Sequence, residues 1–523
     1  MDSNERIVSL AKPMKKGILR LLFSRFFVIA ILLLLQVGIF VMAYVWFSEH
    51  LPAIMHVHWI FTFLMIVYLF NTDMDSSAKL TWMLLIAMLP IAGAALLLWT
   101  QLNVGHRMEI AIVRRQIDKT RNKLEQPQNV LKEIEHDGSG TDDLGRYLNR
   151  SGCFPIYDKT EVKYFPLGED KFEAMLEELE KAEKYIFMEY FIVEEGYMWG
   201  RILDVLIRKA LSGVEVRVMY DGMCEISTLP PDYFKLLEEK GIKAKAFSQI
   251  KPVVSSHYNY RDHRKILVID GKVAFNGGVN LADEYINRKE RFGHWKDTAV
   301  MIKGPAAKSF ALMFLQMWNT RRNEDEYDEW LSVPDCEDKD AKGYVMPYCD
   351  CPLDEYRAGE AVYIDMLYRA TDYVHIMTPY LILDGELELA LKFAAQRGVD
   401  VKLILPGIPD KKVAYALAKN HYRFLHNAGV KIYEYTPGFV HAKVFVSDDI
   451  KAVVGTINLD YRSLCHHFEC ATYMYKTDCI ADIEKDFRDT LAKCKEITKE
   501  SIKSEKLSYK IIGLLAKMIS PLM

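Results

Sequence analysis

Apolar and polar positions change their rhythm twice along the chain. Up to residue 99 the pattern is set by uncharged apolar runs at 26–47, 54–70 and 80–99. The first is of membrane-spanning length and the second only just so. The third contains Pro90 and Gly93, both tolerated in membrane helices. Trp46, Trp59, Trp82 and Trp99 fall near the ends of these runs, as interfacial aromatic residues do. Residues 106–150 are highly charged and predict a helical stalk, broken at Asp137-Gly138-Ser139-Gly140. Short apolar runs then alternate with amphipathic stretches. Residues 184–193 (KYIFMEYFIV) predict a buried strand, 198–211 a helix closed by Gly213, and 214–220 a second strand. A helix at 233–241 and a strand at 243–247 follow.

That order returns further on. Strands are predicted at 373–380, 399–405 and 431–435, with helices at 387–396 (closed by Gly398) and 422–429. The offset between the two closing glycines is 185 residues (398 minus 213), so the pattern is a duplication. The expectation is an α/β fold of two halves, 151–323 and 354–500, forming a pseudo-dimer behind an N-terminal helical membrane segment, 1–105. Strand–helix–strand alternation predicts largely parallel sheets with helices on their faces. The acidic, proline-bearing stretch 324–353 reads as a linker. Residues 501–523 set lysines against an apolar face, an amphipathic helix suited to a membrane surface or to the core.

Composition narrows the class. Of 523 residues, 50% are hydrophobic and 26% charged, and the net charge of −4 argues against a basic nucleic-acid binder. The nine cysteines are scattered without zinc-site spacing, which predicts free thiols in a reducing compartment. The run at 26–47 is too long for a signal-peptide core and lacks a small-residue cleavage site. Basic residues flank the apolar region on both sides, at positions 6–25 and 107–123. The later flank predicts a cytoplasmic catalytic portion; three full spans cannot satisfy both flanks, so the side of the N-terminus stays open.

The chemistry lies in a motif that occurs twice. His263, Lys265 and Asp270 have the spacing H-x-K-x-x-x-x-D, and His441, Lys443 and Asp448 repeat it 178 residues later (441 minus 263). Each copy leads to a small-residue pair (Gly277-Gly278, Gly455-Thr456) that would let the backbone approach a ligand closely, and then to Asn280 or Asn458. Strand alternation puts His and Lys of each copy on one face. A neutral imidazole can attack phosphorus while a second protonates the leaving alkoxide. Two lysines supply fixed charge for the transition state, in the role a divalent metal would otherwise fill, so no metal or other cofactor is expected. Asp270 and Asp448 stand about 17 Å beyond the lysines along an extended strand, which suits a structural role.

These paired motifs resemble the phospholipase D superfamily, and the chain as a whole resembles its bacterial cardiolipin synthases, including the apolar start with Trp82, Leu89-Pro90, Gly93 and Gly105-His106-Arg107. The resemblance implies one active site built from both halves and a phosphohistidine intermediate. It carries all six motif residues, the two aspartates included, into the catalytic set, with His263 as the favoured nucleophile and His441 as acid and then base. The residues themselves do not decide between the histidines. Asn280 and Asn458 are implied as phosphate donors. Asp297 (in HWKD) and Glu469 (in HHFE) match positions that orient the imidazoles, and His467 stands where the family often has Asn. The implied reaction transfers a phosphatidyl group between two phosphatidylglycerol molecules at a bacterial cell membrane that the chain crosses several times. The expected partners are phosphatidylglycerol and the bilayer, with no nucleic acid and no obligatory protein. A phospholipase D-type hydrolase and a phosphatidylserine synthase use the same motifs and are the alternatives.

Overall fold

The computed structural model describes residues 6–11, 38, 51–101, 104–248, 260–321, 326–334, 336–518 and 520. They form two compact units. The smaller takes in residues 51–109 and 515–520, and the larger residues 6–11, 110–248 and 260–514.

The smaller unit contains α1 (Leu51–Phe70), α2 (Ser76–Met88) and α3 (Pro90–Gln101). Asp75 caps α2 by accepting from the Ser77 and Ala78 N–H groups at 2.9 and 3.0 Å. The apolar run at 80–99, expected as one continuous segment, is divided at Leu89. Pro90 has no N–H and forces the preceding residue out of the helical region. A Cβ added at Gly93 would stand 3.0 Å from the Leu85 carbonyl, so glycine is what lets α3 fold back closely on α2. Leu69, Trp82, Ile86 and Leu97 make a small core. Trp59, Phe63, Leu64, Phe70 and Leu80 are left exposed, Phe70 by 73%. Among the described residues no helix is long and apolar enough to cross a membrane. The run at 26–47 lies outside the described residues apart from Gly38.

Two sheets organise the larger unit. The first half contributes strands β1 (Glu161–Phe165), β2 (Tyr185–Tyr190), β3 (Glu215–Asp221), β4 (Lys243–Phe247), β5 (Arg261–Asp262), β6 (Lys265–Ile269), β7 (Val273–Gly277), β8 (His294–Lys296) and β9 (Ala299–Lys303). The second contributes β10 (Tyr344–Asp350), β11 (Tyr373–Met377), β12 (Asp400–Pro406), β13 (Lys431–Tyr435), β14 (Gly438–Val440), β15 (Val444–Ser447), β16 (Lys451–Gly455), β17 (His467–Tyr475) and β18 (Cys494–Glu496). Their orders, β1-β9-β7-β6-β2-β3-β4 and β10-β17-β16-β15-β11-β12-β13-β18, correspond strand for strand except for the added β18. The fold is thus a mixed α/β structure with an internal repeat.

Several expectations change. The sheets are mainly antiparallel; the parallel neighbours are β2-β3-β4 and β11-β12-β13, together with the short pairings of β5 with β17 and β8 with β14. Beyond those crossovers the chain turns back at Asp270-Gly271 and Asp448-Asp449, and tight turns produce antiparallel neighbours. Residues 106–150 do not stand free as a stalk. Val113, Ile117, Val130, Ile134, Leu144 and Leu148 are buried in the main core. The predicted linker also ends inside the fold, because β10 pairs along its length with β17. The helix predicted at 422–429 is Lys412–Ala428; Ala414, Leu417, Ala418, His421, Tyr422 and Leu425 give it a buried stripe. The C-terminal helix Leu507–Lys517 packs through Gly513 on the Ala416 carbonyl, with Leu507, Ile511 and Leu514 exposed. The nine cysteines are free thiols.

Asp270 and Asp448 sit at these turns with φ of 53° and 54°, a left-handed conformation that Asp tolerates better than most residues. The Asp270 carboxylate accepts from the N–H groups of Glu183, Lys184 and Tyr185 at 2.8–2.9 Å, fastening the start of β2. Asp448 does the same for Thr371, Asp372 and Tyr373 ahead of β11. Both aspartates are therefore structural staples at the turn end of the motif strand. Replacing Asp270 by Ala is expected to lower stability by about 3 kcal/mol, and by Asn about half as much, since three charge-assisted bonds weaken or vanish. Urea midpoints at unchanged slope check this.

Candidate active site

Each motif histidine lies between two strands, and the short strand before it pairs with the opposite half. β5 runs parallel to the start of β17, with Arg261 opposite His467 and Asp262 opposite Phe468. β14 runs parallel to β8, with Phe439 opposite Trp295 and Val440 opposite Lys296. The next step in each register sets His263 against Glu469 and His441 against Asp297. The backbone completes the match: His263 N–H donates to Phe468 O at 2.9 Å and His441 N–H to Lys296 O at 2.7 Å.

The side chains follow. His263 Nδ1 is 2.9 Å from the Glu469 carboxylate, and His441 Nδ1 is 2.6 Å from Asp297. Asp297 and Glu469 thus each stand against a motif imidazole, and in both cases it is the imidazole of the other half. A carboxylate on Nδ1 fixes the proton there and leaves Nε2 with a free lone pair. Glu469 also accepts from the Thr456 hydroxyl, and Asp297 from the Thr298 N–H at 2.9 Å. The small-residue pair explains itself here: a Cβ on Gly278 would come within 2.0 Å of Asp297. Its close approach is to the orienting carboxylate rather than to a ligand. Thr456 occupies the equivalent place in the second half and fills it with a hydrogen bond.

Lys265 and Lys443 each donate to the carbonyl of the histidine two residues earlier in their own motif, and both are buried. Burial lowers Lys265 to about 8 and Lys443 to about 7. His441 is lowered to about 4 by burial and by Lys443, against the pull of Asp297. His263 falls well below the usual histidine range through burial and then the charges of Lys265 and Lys443. Burial alone would raise Asp297, but His441 and Lys443 hold it below the ordinary carboxylate range. Each histidine therefore senses the lysine of the other motif, and the two motifs converge on one buried, cationic centre.

Aromatic rings wall off this centre. Phe191 meets the His263 ring edge-on at 4.9 Å between centroids. Tyr285, Trp295 and Phe439 stand 5.4, 5.4 and 5.9 Å from His441. Sequence reasoning missed them, although Trp295 lies in the same HWKD segment as Asp297. It also missed Lys171, a buried cation lowered to about 7 by burial that donates to Val279 O at 3.2 Å. Arg264, the outward residue of the first motif, pairs with buried Glu189 and Asp262. The asparagines diverge. The Asn280 amide donates to the Tyr285 hydroxyl and its oxygen accepts from Ile192, so it braces a loop. Asn458 is buried, and its oxygen has no hydrogen-bond partner among the described residues.

Two groups among the described residues have ligand atoms close enough to hold a metal ion: His263, His467 and Glu469, and separately Glu360, Asp384 and Glu386.

Comparison with known proteins places the chain in a family. A family model described as cardiolipin synthase, PLD-like domain, matches residues 175–318 and 363–491, one match in each half. An uncharacterized protein of Streptococcus mutans is 57% identical over 458 residues, 88% of this chain and 99% of its own. A cardiolipin synthase of Alkalihalophilus pseudofirmus is 31% identical over 461 residues, covering 87% of this chain and 91% of its own. A solved phosphatidylserine synthase of Haemophilus influenzae superposes with a TM-score of 0.56 at 15% identity, over 73% of this chain and 97% of the other, and so shares the fold. With the family match falling on both halves, and relatives aligned over most of its length, the chain belongs to the PLD-like cardiolipin synthase family.

Proposed function

We propose that this protein is a cardiolipin synthase that moves a phosphatidyl group from one phosphatidylglycerol to another, releasing glycerol. The observation that carries this reading is the crossed pairing of His263 with Glu469 and His441 with Asp297. It leaves two imidazoles, each with Nε2 free, in one lysine-lined centre. His263 Nε2 attacks phosphorus, the P–O bond to glycerol breaks, and His441 gives the departing oxygen its proton. His441 then takes the proton of the incoming lipid alcohol, whose oxygen displaces His263 and restores it. Lys265, Lys443 and the Asn458 amide grip the non-bridging oxygens as charge develops.

The assignment of roles rests on an asymmetry between the carboxylates. Each carboxylate accepts one further hydrogen bond, Glu469 from Thr456 and Asp297 from Thr298, so the difference is one of reach: Glu469 stands 2.9 Å from a His263 that burial and the two lysines keep neutral. Asp297 lies closer to its histidine, the better arrangement for sustaining an imidazolium. The aromatic wall limits water, which favours transfer over hydrolysis. The hydrolase and phosphatidylserine synthase alternatives predict free phosphatidic acid or a serine requirement instead.

The bilayer is the natural source of both lipids, and the exposed apolar face of the α1–α2 hairpin is suited to it. Residues 6–11 belong to the larger unit: Val8 N–H donates to Gly200 O at 3.2 Å and Leu10 N–H to Glu195 at 3.2 Å. On this reading the start of the chain and the catalytic halves lie on one side of the bilayer, with an even number of complete crossings between them and both basic flanks cytoplasmic.

Three outcomes are expected. Replacing His263 or His441 by Ala lowers cardiolipin formation in detergent by at least about a thousandfold, and an alkaline quench of the unaltered chain leaves a phosphatidyl adduct on His263. An adduct on His441 would reverse the roles, and full activity without either ring would end the proposal. The second concerns pH. Lysines at about 7 and 8 lose their protons as pH rises through those values, so kcat/KM falls on the alkaline side. Bound phosphate favours the ammonium form, which shifts the kcat limb further alkaline. In Lys443→Arg the limb should move upward, because guanidinium stays charged; a pH profile indifferent to that change would contradict the assignment. Third, a cysteine at Ser9 should react with a membrane-impermeant thiol reagent only once cells are opened, and labelling of intact cells would refute the shared side.

A further inference from the structure

Glu469 has a second imidazole beside it for which the transfer reaction has no use. His467 is only 8% exposed, yet its Nδ1 has no hydrogen-bond partner among the described residues. That nitrogen stands 3.6 Å from a Glu469 oxygen, beyond hydrogen-bond length, while His263 Nδ1 is 2.9 Å from the same carboxylate. One ligand atom from each of the three residues lies within 4.8 Å of the others. A tetrahedral zinc-class ion with bonds near 2.0–2.1 Å holds its ligands about 3.4 Å apart, so a small closure of the triangle suffices. The backbone beneath is fixed, because Arg261 pairs with His467 and His263 N–H is bonded to Phe468 O. Asp297, the counterpart carboxylate, has no such cluster around it among the described residues.

We propose that His263, His467 and Glu469 form an inhibitory site for a zinc-class divalent cation that switches off the nucleophile. The inference rests on the reading of His263 given above. Two imidazole nitrogens and one carboxylate suit zinc or cobalt over magnesium, which prefers oxygen ligands. In the active form the His263 proton is on Nδ1 and the Nε2 lone pair faces the phosphate. A cation taking the Nδ1 lone pair displaces that proton. A neutral ring then carries its proton on Nε2, which has no lone pair left to attack phosphorus. No electrons change hands, and removing the ion returns the proton to Nδ1. Glu469, now a ligand, can no longer orient the ring for attack. The device couples phosphatidyl transfer to the local level of free transition-metal ion.

The test uses the full-length chain in detergent, stripped with EDTA and titrated with cobalt(II). One equivalent should give the visible absorption of tetrahedral nitrogen–oxygen ligation, without the thiolate charge-transfer band that the free cysteines would produce. Zinc should abolish that absorption and lower cardiolipin formation at least tenfold, and EDTA should restore it. In His467→Asn, or His467→Gln if the first does not fold, the cobalt absorption should vanish. The zinc concentration halving the rate, taken relative to each variant's own metal-free rate, should rise at least tenfold. His466→Asn should behave as the unaltered chain. Cobalt absorption that persists in both His467 variants, or reports thiolate ligation, overturns the site. Cobalt bound with undiminished transfer overturns the switch. A metal-free chain without transferase activity overturns the functional reading instead, and the cobalt spectra then decide the site alone.

Discussion

The structure depends on two short parallel strand pairings, of two and three residues, one ahead of each motif histidine. β5 against β17 and β14 against β8 are short, yet they carry the chain of each half across to the other just before the motif histidine. Parallel register then decides which carboxylate each imidazole meets. A slip of one residue would turn Glu469 or Asp297 to the opposite face and leave the ring unoriented. The backbone bonds from His263 to Phe468 and from His441 to Lys296 hold that register. Neither half can complete its own histidine, so the duplicated fold acts as one catalytic body.

Around this crossing the protein buries charge that would be costly without partners. Two motif lysines, Lys171, Asp297 and Glu469 are all essentially excluded from solvent. Opposite charges and hydrogen bonds compensate the carboxylates, whereas the lysines stay poised near neutrality because burial outweighs their neighbours. On the proposed reading, an arriving phosphodiester supplies the missing negative charge. The site thereby spends its preorganisation on the group it is built to receive, and phosphate binding and lysine protonation reinforce each other. The aromatic wall of Phe191, Tyr285, Trp295 and Phe439 keeps the local dielectric low, which strengthens each of these interactions.

Both motifs, their repeated spacing, the duplication and the carboxylates Asp297 and Glu469 that follow each motif were legible from residue order. The predicted strands at 214–220 and 431–435 also appear nearly where expected, because alternation and closing glycines mark them locally. Legibility failed where distant segments decide the outcome. The charged stretch 106–150 reads as solvated, but its periodic Val113, Ile117, Val130 and Ile134 find a core only when the sheets are assembled. The sheets read as parallel because helices separate the early strands, while the hairpins at Asp270 and Asp448 reverse the later ones. Gly278 reads as a ligand-facing glycine, and its actual neighbour is Asp297, brought in from the strand register.

Residue order by itself therefore determined the paired motifs: two imidazole–lysine pairs, their spacing, and the family they point to. These are properties of local pattern, set by side-chain chemistry and strand periodicity. Tertiary structure alone decided that the carboxylates are exchanged between halves, that His467 Nδ1 stands beside Glu469 without a hydrogen-bond partner among the described residues, and that residues 6–11 rest on the larger unit. Such facts depend on contacts between segments as much as 206 residues apart, where no periodicity along the chain carries the information.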